Sequence, residues 1–196
     1  MRIEFEATFI KINKKELRKR LKMIGAELVQ KERLMRRVVF YPIKKDDDGW
    51  LRVRDEGNKI TISYKRFVGM AKRNKVNKID DQQELCLEVN DFEEGVGLMK
   101  VLGAKQKSYQ ETLREDWIYN GVEISIDTWP GLNPFVEIEA KNEQKVKMVS
   151  KKLGFDYRQA IFAPVHAVYE KELGIPPDVI NNKTLMITFE KPPKKN

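Results

Sequence analysis

Two arginines at alternate positions of one short stretch have the type and spacing to bind a polyphosphate. Arg52 and Arg54 lie in the stretch Gly49–Asp55, and Lys65 closes the next alternating stretch, Lys59–Lys65. Alternate side chains of a β-strand share one face and lie roughly 6.6–6.8 Å apart, which suits successive phosphates. The intervening Glu56-Gly-Asn-Lys59 is a turn sequence. We therefore predict a β-hairpin with one basic face.

Carboxylates repeat the same spacing in two other stretches. Glu4 and Glu6 alternate with apolar residues near the N-terminus, and Glu137 and Glu139 do so after Pro134. Like charges on one strand face repel each other, so a sheet that faces water usually mixes its signs. Each strand here keeps a single sign, which favours a closed interior over an open, wetted sheet. Carboxylate oxygens are the ligands that Mg²⁺ and Mn²⁺ prefer, so opposed acidic and basic strands predict a site for a cation and a phosphate.

Composition excludes several classes of site and partner. The 196 residues carry a net charge of +8, with Cys86 as the one cysteine and His166 as the one histidine, so neither a disulfide nor a zinc site is expected. The sequence contains no run of about 18 apolar residues, so no membrane-spanning helix is predicted. The N-terminus alternates without a signal-peptide core, which indicates a cytoplasmic protein. A nucleic-acid partner is disfavoured because the strand arginines occupy the same strand faces as the carboxylates, and not the outward faces. His166 is interpreted as a surface or packing residue.

Regular elements must hold these strands in place. Three amphipathic stretches have a polar N-cap and a terminal glycine, which is typical of helices. They begin after Asn13, Asp91 and Asn142 and end at Gly25, Gly103 and Gly154. About eight further stretches alternate as strands, and Asn120-Gly121 is a strong hairpin signal. We predict an α+β fold, a closed eight-stranded antiparallel β-barrel with a charged polar interior and helices packed outside.

The predicted barrel domain occupies residues 1–165, and residues 166–196 form a C-terminal extension. Within and just before that extension, Pro164 to Leu173 suits a short helix and Thr184 to Phe189 suits a strand. The basic segment from Gly69 to Asp81 has few apolar residues and is predicted to be an exposed loop.

Six short motifs, taken in order, resemble those of the CYTH family. They are Glu4-Phe-Glu6, Leu51-Arg-Val-Arg54, Ser63-Tyr-Lys65, Leu113-Arg114, Ile126-Asp127 and Val136-Glu-Ile-Glu139. That family takes in class IV adenylyl cyclases and thiamine triphosphatases and is also called the triphosphate tunnel metalloenzymes. The resemblance covers roughly residues 1–165. It implies an eight-stranded antiparallel tunnel that binds a triphosphate together with Mg²⁺ or Mn²⁺.

The resemblance also implies roles for individual residues. The implied metal ligands are Glu4, Glu6, Asp127, Glu137 and Glu139, and the first three of these are the implied catalytic residues. The implied substrate-binding residues are Arg37, Arg52, Arg54, Lys65 and Arg114. Whether Arg36 or Arg37 faces the tunnel stays open, as does the choice between Glu84 and Glu88 for the acid of the fifth strand. Thr8 stands where the family motif Glu-x-Glu-x-Lys has its lysine.

These residues lead us to expect a divalent-metal-dependent triphosphatase. The substrate would be a small molecule that contains a triphosphate: inorganic tripolyphosphate, thiamine triphosphate or a nucleoside triphosphate. One alternative is a class IV-type adenylyl cyclase that makes cyclic AMP from ATP. Another is a non-catalytic module that binds polyphosphate or a nucleotide, which the threonine at position 8 would suit. No membrane partner is expected, and a homodimer stays open.

Overall fold

Eight antiparallel strands form a closed ring in the computed structural model, which describes residues 2–44, 48–68 and 81–195. The strands are β1 Arg2–Phe9, β2 Glu27–Phe40, β3 Trp50–Asp55, β4 Ile60–Val68, β5 Asp81–Val89, β6 Gln106–Tyr119, β7 Val122–Thr128 and β8 Phe135–Ala140. They follow one another in the order β2-β3-β4-β5-β1-β8-β7-β6, and pairing of β2 with β6 closes the ring. Closure leaves these strands without an open edge. The predicted fold class is confirmed.

Three helices pack against the outside of the barrel. They are α1 Lys14–Met23, α2 Phe92–Val101 and α3 Glu143–Lys152. The side chains of Asn13, Asp91 and Asn142 each accept a hydrogen bond from a backbone N–H in the first turn. Such caps satisfy donors that have no partner within the helix. The three predicted helix starts are confirmed.

The hydrophobic core lies between these helices and the outer face of the barrel. Leu21 of α1 and Val149 of α3 pack in one cluster with Ile124 and Ile138, and all four are fully buried. A glycine in α2 permits a close approach on another side, because a Cβ on Gly95 would come within 3.2 Å of a Val53 methyl group. Alternate side chains of a strand point to opposite faces of the sheet. Because the apolar side chains pack against the helices outside the ring, the polar side chains between them point inward.

The C-terminal segment also packs on the barrel. Helix α4 spans His166–Leu173, a single π-helical turn spans Val179–Lys183, and strand β9, Met186–Ile187, pairs in parallel with β6. The buried Tyr169 hydroxyl donates to the Pro130 carbonyl oxygen at 2.8 Å. The predicted short helix and C-terminal strand are therefore present. The predicted basic loop lies, except for its last residue, outside the described residues.

None of the helices within residues 2–44, 48–68 and 81–195 has the length and apolar character needed to cross a bilayer.

Candidate active site

The inward faces of the strands enclose a cavity of about 1210 Å³. Its lining includes the predicted residues Glu4, Glu6, Arg37, Arg52, Arg54, Lys65, Arg114, Glu137 and Glu139. Asp127, the remaining predicted site residue, is fully buried next to Arg114. The parity of the strands thus placed opposite charges on facing parts of one chamber.

Four cations from three strands form what we call the basic wall: Arg37 of β2, Arg52 and Arg54 of β3, and Lys65 of β4. Arg37 and Arg54 are register partners, so their side chains share one face. Burial, with repulsion from Arg54, lowers the pKa of Arg52 to about 9, and burial with repulsion from Arg52 lowers the pKa of Arg37 well below its usual value. The Nε atoms of Arg37 and Arg52 are buried without a hydrogen-bond partner among the described residues. The wall is therefore short of acceptors and of negative charge, and a phosphate supplies both.

The structure decides which arginine of the adjacent pair on β2 faces the cavity. The Arg37 Nη2 atom donates to Thr112 Oγ1 at 2.7 Å, and the guanidinium carbon lies 4.8 Å from the centroid of the Trp129 ring. Arg36 faces the other way, and its Nε atom lies 3.1 Å from Asp55 Oδ2. Arg37 is therefore the inward residue, and Trp129 lines the cavity beside it.

Four glutamates on two neighbouring strands form what we call the acidic wall: Glu4 and Glu6 of β1, and Glu137 and Glu139 of β8. Glu6 and Glu139 are register partners. Burial raises the pKa of Glu137 and of Glu139 to about 7, and nearby carboxylates add to both shifts. Burial and the charges of Glu137 and Glu139 raise the pKa of Glu6 well above its usual value. Buried like charges of this kind favour either a proton or a bound cation.

Two basic side chains partly neutralise the acidic wall. The Lys65 Nζ atom lies 3.6 Å from Glu4 Oε2. Arg114 donates to both carboxylate oxygens of Asp127, at 2.7 and 2.6 Å, and also to Glu137. Burial alone would lower the pKa of Arg114, but Asp127 and Glu137 raise it well above the usual value. In this structure the Asp127 carboxylate holds Arg114, and its role as a metal ligand stays a prediction.

The fifth strand contributes Glu84 to the contacts of the basic wall. Its Oε1 atom lies 3.4 Å from Arg52 Nη2, and its Oε2 atom lies 3.3 Å from Lys65 Nζ. Burial would raise the pKa of Glu84, but Lys65 and Arg52 outweigh it and lower the pKa. Glu88 also lines the cavity. The contacts of Glu84 with Arg52 and Lys65 therefore favour it over Glu88 as the acid of the fifth strand.

The turn of the basic hairpin adds a carboxylate that we did not predict. Glu56 accepts hydrogen bonds from Arg54 Nε at 3.0 Å and Arg54 Nη2 at 2.6 Å, and from Thr61 Oγ1 at 3.4 Å. It orients the guanidinium of Arg54. The signal was present in the sequence, since Glu56 continues the alternation of Arg52 and Arg54 by one further step.

The C-terminal segment brings a second unpredicted set of residues to the cavity. His166 and Asn181 both line it, and His166 Nδ1 lies 3.0 Å from Asn181 Nδ2. Burial lowers the pKa of His166. The interpretation of His166 as a surface or packing residue was therefore incomplete. No periodic pattern in this segment could have indicated its position, because a turn and the start of a helix meet only in the folded chain.

Thr8, which stands at the lysine position of the family motif, is the register partner of Glu137. It shares the inward face as predicted, but it is only 2% exposed. Its backbone exchanges two hydrogen bonds with Ile161, at 3.0 and 2.9 Å. The chain that follows α3 thus returns to β1 at this position.

The chemistry of the acidic wall fits a hard divalent cation, although its side chains are not arranged around one. Its donors are all carboxylate oxygens, and the raised pKa values of Glu6 and Glu139 reflect burial together with repulsion from neighbouring carboxylates. Within the described part of the chain, no three His, Cys, Asp or Glu side chains converge to form a ready-made metal site. Glu4 and Glu137 would have to turn from Lys65 and Arg114 towards the cation.

A closed barrel with one basic and one acidic wall is suited to a tunnel that binds an anion and a cation together. The model of the CYTH domain matches residues 3–158, and the chain belongs to the CYTH domain family.

Relatives of this chain carry names of two activities. A Methanocaldococcus jannaschii protein named "Putative adenylate cyclase" is 29% identical over 130 residues, which are 65% of this chain and 70% of that protein. A solved structure from Vibrio parahaemolyticus, described as "a putative adenylate cyclase", has 10% identity and a TM-score of 0.70 over 86% of this chain and 98% of that chain. A structure from Hippeastrum, described as a "putative adenylyl cyclase" with a dominant triphosphatase activity, has 14% identity and a TM-score of 0.50 over 91% of this chain and 99% of that chain. At these identities the two structures show the fold alone.

Proposed function

We propose that this protein is a divalent-metal-dependent triphosphatase that hydrolyses a triphosphate-containing substrate inside the barrel. The observation that carries the proposal is the opposition of the basic wall and the acidic wall in one cavity. A phosphate chain complements the first wall, and a cation between phosphate and carboxylates complements the second. The activities for which the relatives are named support an enzyme that acts on a triphosphate.

The basic wall would bind the phosphate oxygens. Arg37 and Arg52 each have a buried Nε donor without a partner among the described residues, and phosphate oxygens are strong acceptors for such donors. Arg54 is already oriented by Glu56. Lys65 would exchange part of its contact with Glu84 for a phosphate oxygen. Binding would thus offset the burial and the mutual repulsion that lower the pKa of Arg52 and of Arg37.

The acidic wall would hold the metal through Glu4, Glu6, Glu137 and Glu139, with Mg²⁺ or Mn²⁺ as the expected ion. When bound there, the cation would neutralise phosphate charge and lower the pKa of a water ligand. Asp127 would keep Arg114 in place between the two walls, where its guanidinium can stabilise charge that develops on the phosphate.

In the reaction that we propose, a water oxygen attacks the terminal phosphorus. The bond from this phosphorus to the bridging oxygen breaks, and the electron pair stays on that oxygen. A carboxylate of the acidic wall accepts the proton from the water. The base is a carboxylate of this wall that does not contact the cation, since a metal-bound carboxylate has a lowered pKa and accepts a proton poorly.

The names of the relatives favour adenylyl cyclase as the second candidate function. In that reaction the ribose 3′-hydroxyl of ATP attacks the α-phosphorus, and pyrophosphate leaves. The same two walls would serve it, but the nucleoside would have to be held so that its 3′-hydroxyl faces the α-phosphate.

Activity screening with product identification tests the proposal. ATP, tripolyphosphate and thiamine triphosphate would each be incubated with Mg²⁺, Mn²⁺ or a chelator, and the products separated by chromatography. We expect release of orthophosphate that depends on the metal. Cyclic AMP with pyrophosphate would instead establish the cyclase. Tight binding of a triphosphate without turnover at any metal concentration would leave a non-catalytic module.

A further inference from the structure

The cavity extends beyond the two charged walls. Its volume of about 1210 Å³ exceeds the roughly 300–1,000 Å³ of typical small-molecule sites, and a bare triphosphate is a small ligand. Part of the extra lining comes from residues beyond the segment 3–158 that the family model matches. We call the region lined by Trp129, Val165, His166, Ile180 and Asn181 the C-terminal pocket.

The C-terminal pocket adjoins the basic wall. Arg37 belongs to that wall, and its guanidinium carbon lies 4.8 Å from the centroid of the Trp129 ring. A ligand whose phosphates contact the basic wall would therefore have its next chemical group beside Trp129. The two regions can take the two parts of one molecule.

The charge of the pocket differs from that of the basic wall. The residues beyond position 158 that line the cavity within the described chain are Pro164, Val165, His166, Ile180, Asn181 and Asn182, and none of them is an Asp, Glu, Lys or Arg. Burial also lowers the pKa of His166, which favours the neutral imidazole. Lys107 also lines the cavity and, after burial, helps to lower the pKa of His166, so one cation lies near this pocket. A longer inorganic polyphosphate would require several more cations, because each phosphate brings negative charge. An uncharged group fits this lining better.

The polar groups of the pocket suit a nitrogen heterocycle. The contact of 3.0 Å joins the Asn181 amide nitrogen, a donor, to Nδ1 of His166, so Nδ1 is the acceptor and the ring proton lies on Nε2. The pair then has a donor at His166 Nε2 and an acceptor at Asn181 Oδ1. The Trp129 ring and the Ile180 side chain supply apolar surface. A nitrogen heterocycle has donors and acceptors along its planar edge and two apolar faces. The polar pair complements the edge, and the apolar surface complements the faces.

We propose that the C-terminal pocket binds the base of a nucleoside triphosphate, which makes this class of molecule the preferred substrate over inorganic tripolyphosphate. The inference rests on the proposed function, since it assumes that the phosphates occupy the basic wall. His166 and Asn181 are specificity-determining residues in this proposal, and neither takes part in the bond-breaking step.

Steady-state kinetics of the full chain with ATP and with tripolyphosphate test this assignment. We expect the wild type to prefer ATP by tenfold or more in kcat/KM. Asn181→Ala should lower kcat/KM for ATP about tenfold, the effect of losing one or two hydrogen bonds, and change it for tripolyphosphate less than twofold. His166→Gln provides a second variant with the same expectation. Asn133→Ala is the matched control, because the Asn133 side-chain amide lies outside the cavity lining and donates to Glu172 Oε2 at 3.2 Å.

The outcomes separate the two proposals. Equal use of ATP and tripolyphosphate by the wild type and by Asn181→Ala would overturn the pocket assignment and leave the triphosphatase intact. If neither compound is hydrolysed, the proposed function fails. Calorimetry with ATP and with tripolyphosphate on the same variants then still tests whether the C-terminal pocket binds the base. A loss of affinity confined to ATP supports the assignment, and an equal loss of affinity for both ligands overturns it. Unchanged melting temperatures show that each variant is folded.

Discussion

The acidic wall and the basic wall follow the same construction, yet they differ in how they can relieve their own repulsion. Glu137 and Glu139 have a pKa of about 7, so these carboxylates can take up protons near neutral pH. Arg52 has a lowered pKa of about 9 and remains charged at the same pH. The basic wall is thus a permanent charge, whereas the acidic wall can change its charge with pH.

This difference has a consequence for the two ligands. Phosphate binding to the basic wall should depend weakly on pH near neutrality. Cation binding to the acidic wall should strengthen as pH rises through about 7, because deprotonation of Glu137 and Glu139 restores the charge that attracts the metal.

The largest expected effect comes from breaking the basic wall. Arg52→Ala removes a buried guanidinium whose Nε atom has no partner among the described residues. We expect kcat/KM for the preferred triphosphate to fall about 100-fold or more, as for loss of one preorganised donor to developing charge. Kinetics under subsaturating substrate measure the change. Arg36→Ala is the control, since Arg36 lies on the outer face beside Asp55. A similar loss in both variants would contradict the assignment of the wall.

A smaller effect is expected from removing one charge of the acidic wall. Glu139→Gln should lower the rate about 10- to 100-fold and raise the concentration of Mg²⁺ or Mn²⁺ needed for half-maximal activity. Titration of activity with metal measures both. Glu111→Gln on the outer face of β6, where Glu111 accepts a hydrogen bond from the Phe189 amide, keeps that acceptor and serves as the control. An unchanged metal requirement in Glu139→Gln would show that the acidic wall does not hold the cation.

The raised pKa values also predict a pH dependence of stability. Because the folded state binds these protons more tightly than the unfolded state, Glu137 and Glu139 favour folding at low pH, and this contribution is lost as pH rises from about 4.5 to about 7. We expect the metal-free protein to lose about 1–3 kcal/mol of unfolding free energy from this source. Denaturant unfolding in a chelator at several pH values measures the loss. The dependence should flatten in Glu139→Gln, and a wild-type slope equal to that of this variant would contradict the prediction.

The smallest expected effect distinguishes the two acids of the fifth strand. The Glu84 carboxylate lies 3.4 Å from Arg52 and 3.3 Å from Lys65, so it competes with phosphate for both cations. Glu84→Gln should therefore lower KM for a triphosphate about threefold, a modest electrostatic gain. Glu88→Gln, on the same strand, should leave KM unchanged. The opposite ranking in steady-state kinetics would place the interacting acid at Glu88.

Much of the fold could be predicted because its signals are local. Alternation identified the strands, and a capping side chain before each of α1, α2 and α3 identified their starts. The Asn120-Gly121 turn was equally clear, since both residues adopt the positive φ that a two-residue hairpin requires.

In strand β2, alternation along the sequence was not sufficient to predict which side chains face the cavity. Its pairing with β6 shifts register between Leu28 and Gln30 and again between Gln30 and Arg33. Each irregularity changes which residues face inward, so counting in steps of two could not decide between Arg36 and Arg37.

Alternation within each strand was enough to predict that acidic and basic residues lie on the inner faces of separate strands, because the period of two is a property of each strand alone. The partner of each charge follows from the folded barrel: Asp127 pairs with Arg114, and Lys65 lies between Glu4 and Glu84. The same holds for the approach of His166 to the cavity. These contacts join segments far apart in the chain, and their geometry depends on closure of the barrel and on packing of the C-terminal segment against it.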